Sequence, residues 1–259
     1  MIVTTVVSLK GGVGKTSMVL GLAGAAQASG RKALVIDLDP QANASLVLGA
    51  DRADFTSNDV LADGRSGVLL DAIQPSGWGE GVDVVPAELA LEHRNADGPG
   101  IETALARAME GLSGYDIVLI DSPPTLGALA VAALAAGQRA LIVVEPTLFS
   151  LVGAEKMLDA IKVVRRNYNR RLKVAGIVVN KVRHTTEHAF RREELDAAYP
   201  ELVWAPAVPD RAIASQAQGA FLPVQAWRTP AAVELSDIFT DFLGRLLERP
   251  TRATAAAEV

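Results

Sequence analysis

The chain has 259 residues, 49% of them hydrophobic and 21% charged, with a formal net charge of −5 and no cysteine. Such a length and composition fit one large globular domain with a sizeable core, and the lack of thiols excludes disulfides, thiolate metal sites and cysteine-held clusters. The acidic total argues against a strongly basic nucleic-acid-coating protein, no apolar run is long enough for a membrane span, and the amino terminus lacks the basic-then-apolar pattern of a secretory leader.

Residues 2–7 form a β-branched apolar run and predict a first strand. It leads into Ser8-Leu9-Lys10-Gly11-Gly12-Val13-Gly14-Lys15-Thr16-Ser17, and a helical run, residues 18–23, follows. Strand, glycine-rich turn and helix in that order are what a phosphate-binding loop requires. Glycines let backbone N–H groups point inward around a phosphate, and the helix N-terminus adds partial positive charge. Gly11, Gly12, Val13, Gly14, Lys15, Thr16 and Ser17 are therefore candidate nucleotide contacts. Lys15 is placed to reach the β- and γ-phosphates, and the Thr16 hydroxyl to sit on Mg²⁺. The general pattern G-x-x-x-x-G-K-[ST] is not met, because Leu9 stands at its first glycine.

Residues 33–37 predict a short buried strand ending in Asp37, with Asp39-Pro40 close behind. Carboxylates at the C-terminal ends of parallel strands face the ligand crevice. Asp-Pro also starts turns, and Asp39 alone would serve as a helix cap. Beyond it, a helix is predicted at about 66–73 within a glycine-rich connection, a strand at 82–87, a polar loop at 94–100 and a helix at about 101–112. Four apolar residues from Ile117 end in Asp121-Ser122-Pro123-Pro124, a Walker-B-type strand whose carboxylate would hold Mg²⁺ through water. A strand at 140–145, a helix at about 151–167 and a strand at 174–179 follow. The last of these ends in Asn180-Lys181-Val182-Arg183. GTPases use N-K-x-D, and Arg183 supplies no guanine-reading carboxylate, whereas the Asn180 amide is complementary to adenine. ATP is thus favoured over GTP. A helix at 187–198, a short strand at 203–206, the Pro209-Asp210 loop and an amphipathic helix at 230–248 complete the order. Strands alternating with helices predict an α/β fold, a mostly parallel sheet with helices on both faces.

The run K-G-G-x-G-K-[ST] resembles the deviant Walker A loop of the ParA/MinD family of dimeric ATPases. Asp37-Leu38-Asp39-Pro40-Gln41-Ala42-Asn43 resembles its second motif, D-x-D-P-Q-x-N. The similarity spans about residues 2–248 and is greatest to short ParA-type partition ATPases, those without an N-terminal DNA-binding domain. It implies a single P-loop NTPase domain over 1–249 and a disordered tail at 250–259. It implies that Lys10 crosses a dimer interface to the partner's nucleotide, that Asp39 positions the attacking water, and that Asp37 supports Mg²⁺ beside Thr16 and Asp121. Lys10, Lys15 and Asp39 are then the catalytic set. Asn180, Pro209 and Asp210 would flank the base.

The implied activity is slow, partner-stimulated ATP hydrolysis. It would drive an ATP-state homodimer that binds DNA without sequence preference and partitions or positions a cargo through a ParB-like adaptor. The location would be cytoplasmic and nucleoid-associated. Relatives carry an arginine where this chain has Ile213. Arg165, Arg166, Arg170, Arg171, Arg191, Arg192 and Arg211 are the candidate DNA contacts, with Lys173 and Arg183 near in sequence. The alternative is a MinD-like positioning ATPase on a membrane or protein scaffold. The tail lacks the basic amphipathic helix a membrane would need. An ATP-dependent biosynthetic enzyme on the same fold is the third class.

Overall fold

The computed structural model describes residues 1–50 and 53–248, and the 250–259 tail lies outside them. The elements run β1 (Ile2–Val7), α1 (Lys15–Ala28), β2 (Ala33–Asp37), α2 (Asn43–Val47), α3 (Ser57–Asp63), β3 (Gln74–Pro75) and β4 (Val82–Val85). Then come α4 (Ile101–Ala108), β5 (Ile117–Asp121), α5 (Ala128–Ala136), β6 (Arg139–Val144), α6 (Ser150–Asn167), β7 (Lys173–Val179), α7 (Thr186–Ala198), α8 (Ala212–Gly219) and α9 (Pro230–Leu247). The strands make one sheet in the order β3-β4-β2-β5-β1-β6-β7, parallel except for β3, which runs antiparallel to β4.

Alternate strand residues face opposite sides, and both sides are covered. On β2, Ala33 and Val35 join the core under α1 and α9, while Leu34 and Ile36 join the core under α3, α4 and α5. On β6, Leu141 and Val143 go to the first core, and Ala140, Ile142 and Val144 to a third under α6. Two-sided burial explains why these strands read as continuous apolar runs. The order of strands reverses about β1, which lies between β5 and β6. An open parallel sheet presents its ligand crevice at the carboxyl ends beside such a reversal. The glycine-rich turn after β1 sits there.

Several expectations change. The predicted helix at 66–73 is a 3₁₀ segment, Val68–Ala72, bounded by Gly67 in a left-handed conformation and an extended Ile73. The 101–112 helix ends at Ala108, and the chain turns at Gly111 with φ +82°. A second 3₁₀ segment, Leu89–Ala96, enters the predicted 94–100 loop. The strand at 203–206 is a single bridge between Val203 and Ile177. There the Trp204 ring turns to pack on Phe242 at 5.2 Å, over Gly176, where a Cβ would collide with the indole. Ser57 to Leu61 lie within α3, which is held by a Thr56–Asp59 capping box. Helices α2, α5 and α8 had no prediction.

Candidate active site

The turn after β1 uses glycine where the backbone demands it. Gly12 has φ +79° and Gly14 φ +93°, and a Cβ on Gly14 would collide with the Asn180 amide. Gly14 caps α1 without a side-chain hydrogen bond, and the first turn carries no acid. The N-terminal N–H groups of this helix therefore stay available to an anion. Lys15 is buried and donates to Ser8 Oγ at 3.3 Å, while Ser8 Oγ donates to the Lys10 carbonyl at 2.9 Å. Burial lowers the Lys15 pKa, opposed by the charges of Asp121 and Asp39. Lys10 points the other way. Its side chain is 57% exposed and pairs with the rim carboxylate of Glu145, at 3.7 Å.

Asp37 and Asp121 are cross-strand partners on β2 and β5, both fully buried. Asp37 accepts from Asp39 N at 3.0 Å, Ser45 N at 2.9 Å and Ser45 Oγ at 2.7 Å. It thus braces the turn that carries Asp39. Asp39 accepts from Gln41 N at 3.0 Å through Oδ1, which fixes its carboxylate. It does not cap a helix, for α2 is capped by Ala42 with no side-chain bond. Neither oxygen of Asp121 has a hydrogen bond of ordinary geometry. Burial, then the Asp37 charge, pushes its pKa well up, and the Thr16 hydroxyl and Lys15 pull it down.

An orphaned buried carboxylate beside a threonine hydroxyl and a lysine fits a Mg²⁺ site. Among the described residues no three His, Cys, Asp or Glu side chains are arranged to hold a metal alone. Phosphate and water oxygens would have to complete the shell, as Mg²⁺ prefers.

Burial raises the Asp37 pKa to about 6. A raised folded-state value means that its stabilising contribution is present at low pH and is lost as pH rises through about 6. In nucleotide-free protein, Asp37→Asn should therefore become relatively more stable than the parent between pH 4.5 and 7. Urea denaturation at those two pH values checks it, and a constant difference would contradict the assignment.

At the far side of the turn, Asn180 donates to the Val13 carbonyl at 2.7 Å and Lys181 to the Gly12 carbonyl at 2.6 Å. The Pro209–Asp210 loop pairs with Val182 and sets Asp210 3.9 Å from Arg183. Pro124 approaches Gly11, and Ser122 Oγ ties the end of β5 to the Val6 carbonyl at 2.8 Å. Ser17 accepts from Gln218 of α8 at 2.9 Å. The predicted phosphate, metal and base residues thus gather at the carboxyl ends of the strands. Ser8, Ser45, Lys181 and Gln218 belong to the same assembly. Of these only Lys181 lay in a recognised motif.

The seven candidate DNA arginines are not brought together. Arg165 and Arg166 end α6, and Arg170 and Arg171 precede β7, so all four lie at the amino-terminal end of the strands, away from the glycine-rich turn at their carboxyl ends. Arg191 is paired with Glu187 at 2.7 Å and Glu194 at 2.9 Å, and Arg192 with Asp196 at 3.5 Å. Arg211 grips Glu234 at 2.8 and 3.2 Å. Ile213 is a core residue, buried with Ala217 and Leu235. A cavity of about 450 Å³ opens beside Leu9, Lys10 and Val13, and Phe149 and Val152 at its wall are exposed.

A family model described as an AAA domain matches residues 1–174. The chromosome-partitioning ATPase Soj of Thermus thermophilus is 34% identical, over 77% of this chain and 78% of its own. The sporulation initiation inhibitor protein Soj of Bacillus subtilis is 29% identical, over 86% of this chain and 89% of its own. Cobyrinic acid a,c-diamide synthase from Mycobacterium smegmatis, solved with a bound ATP analog and magnesium, superposes with a TM-score of 0.78. It is 28% identical and covers 92% of each chain.

Proposed function

The chain belongs to the ParA/MinD family of P-loop ATPases, in its short ParA-type branch, with ATP and Mg²⁺ as its cofactors, and on that premise we propose that it is a dimerisation switch. In its ATP state it binds DNA without sequence preference and partitions or positions a DNA or protein cargo. The observation that carries this reading is the opposed placement of two lysines five residues apart. Lys15 is buried towards Asp121 and Ser8, and Lys10 is exposed on the outer side of the same loop. A lysine in the second position serves a nucleotide held by another subunit better than its own. The exposed apolar side chains Phe149 and Val152 line the same cavity as Lys10. They are surface that a second copy would cover.

Mg²⁺, held by Asp121 and Thr16, would neutralise charge on the β- and γ-phosphates. Lys15 and the loop N–H groups hold the phosphates, Lys10 of the second subunit adds positive charge, and Asp39 orients water for in-line attack. Asn180, Pro209 and Asp210 flank the base. Hydrolysis is slow until a ParB-like adaptor stimulates it, because the ATP state must persist while the protein moves. Such a protein acts in the cytoplasm on the nucleoid. Arg166, Arg170 and Arg171, exposed at the amino-terminal end of the strands, are the DNA contacts this reading favours, with Arg165 beside them.

The test is DNA binding by fluorescence anisotropy with the Asp39→Ala protein, in ATP, in ADP and without nucleotide, across a salt series. Binding that requires ATP and weakens steeply with salt supports the switch. Absent binding at low salt, with ATP-driven dimerisation intact, would reject the DNA part. Lys10→Ala should weaken ATP-driven dimerisation by about tenfold or more. Sedimentation of a dimer equally stable in ADP would reject the switch.

A further inference from the structure

Two consecutive residues at the end of β7 hold two consecutive carbonyls of the phosphate loop. Asn180 Nδ2 donates to Val13 C=O at 2.7 Å and Lys181 Nζ to Gly12 C=O at 2.6 Å. In a trans peptide, a carbonyl and the N–H that follows it point in opposite directions. Fixing the Gly12 carbonyl towards Lys181 therefore aims the Val13 N–H to the other side of the loop. Fixing the Val13 carbonyl towards Asn180 does the same for the Gly14 N–H. With Gly12 and Gly14 both at positive φ, these peptides sit in the most freely rotating part of the chain. They are also the peptides whose N–H groups must converge on a phosphate.

Lys181 occupies an unusual backbone conformation to make its bond. Its φ is +57°, a left-handed conformation unfavourable for a residue with a Cβ. An ordinary surface lysine has no need of either the conformation or the partner, and Lys181 is only half-exposed. Its stem also runs past the loop, with Cε 3.7 Å from the place a Gly14 Cβ would take.

We propose that Lys181 is a positioning residue that, together with Asn180, holds the phosphate loop in its anion-binding shape before nucleotide arrives. The inference rests on this loop being the ATP site, and is independent of the dimer and of DNA. Binding to a loop already ordered avoids the entropy cost of ordering it.

The experiment compares the parent with Lys181→Met, which keeps the length and loses the donor, and Lys181→Asn, which tolerates the left-handed backbone. Lys181→Arg keeps donors within reach. ¹⁵N order parameters of Gly12, Val13 and Gly14 are measured in nucleotide-free protein, and ADP affinity at low and high salt. The expected result is order parameters near about 0.85 in the parent and below about 0.6 in the Met and Asn variants. ADP should bind about tenfold more weakly to both, equally at both salts, with recovery in the Arg variant. Unchanged order parameters with an affinity loss that high salt abolishes would overturn the proposal, leaving Lys181 a point charge. Unchanged order and affinity would overturn it outright.

Discussion

Asp39→Ala is expected to lower ATP hydrolysis by about 10²-fold or more while ATP still binds. Asp39 is held through both its backbone and its side chain. Its own backbone N–H is fixed by Asp37, itself locked to Ser45, and its Oδ1 by Gln41 N. A side chain so fixed near Lys15 and Asp121 suits the orientation of water better than the binding of triphosphate. Binding has the opposite electrostatic dependence. Deleting one negative charge from a pocket that must accept several should leave ATP affinity unchanged or raise it. Single-turnover hydrolysis and equilibrium ATP titration separate the two. Hydrolysis within twofold of the parent would remove Asp39 from the mechanism. A matching loss of ATP affinity would mean that Asp39 shapes the pocket instead. Asp37→Ala provides the contrast, since it strands the buried Ser45 and Asp39 N–H groups and should cost stability, about 1–3 kcal/mol for each unsatisfied group.

The phosphate end of this site was legible because its chemistry is carried by backbone. A loop of N–H groups needs glycine at fixed spacing, between a strand and a helix, and such a pattern survives in the linear sequence. Lys15 and Thr16 open the helix that follows, and Asp37, Asp39 and Asp121 stand at or just past strand ends, where a parallel sheet presents its side chains. What holds those groups in place was harder to read. Ser45 reaches Asp37 across eight residues and Gln218 reaches Ser17 across 201, and nothing in the sequence pairs them. Helix α5, Ala128–Ala136, is apolar on every side and buried almost throughout, so it has no periodicity to detect. The basic residues fall between these cases. Arg191 with Glu187, and Arg192 with Asp196, stand at helical i,i+4 spacing, so their pairing was open to a reading of the sequence. The Arg211–Glu234 pair joins the residue before α8 to the first turns of α9, 23 residues on, and was not. A count of arginines therefore overstates the charge available to a polyanion.

Gly14→Ala is expected to weaken ATP binding by about 10²-fold or more, some 2.7 kcal/mol. Two costs add. An alanine at φ +93° is strained whatever surrounds it, and its Cβ would collide with the Asn180 amide that anchors the Val13 carbonyl. The second cost spreads beyond the substituted residue, because displacing Asn180 frees a peptide of the loop. Gly12→Ala isolates the first. Its φ is +79°, and no atom lies within 4 Å of the new Cβ in the nucleotide-free protein. In denaturation without nucleotide it should cost only the left-handed strain, about 1–2 kcal/mol, and Gly14→Ala should cost more. A double-mutant cycle with Asn180→Ala then resolves the mechanism. If the collision dominates, Gly14→Ala should do less further harm once Asn180 has been removed, a coupling of about 0.5–3 kcal/mol. Additive losses would place the whole effect of Gly14→Ala in its own backbone, with no part played by a collision with Asn180.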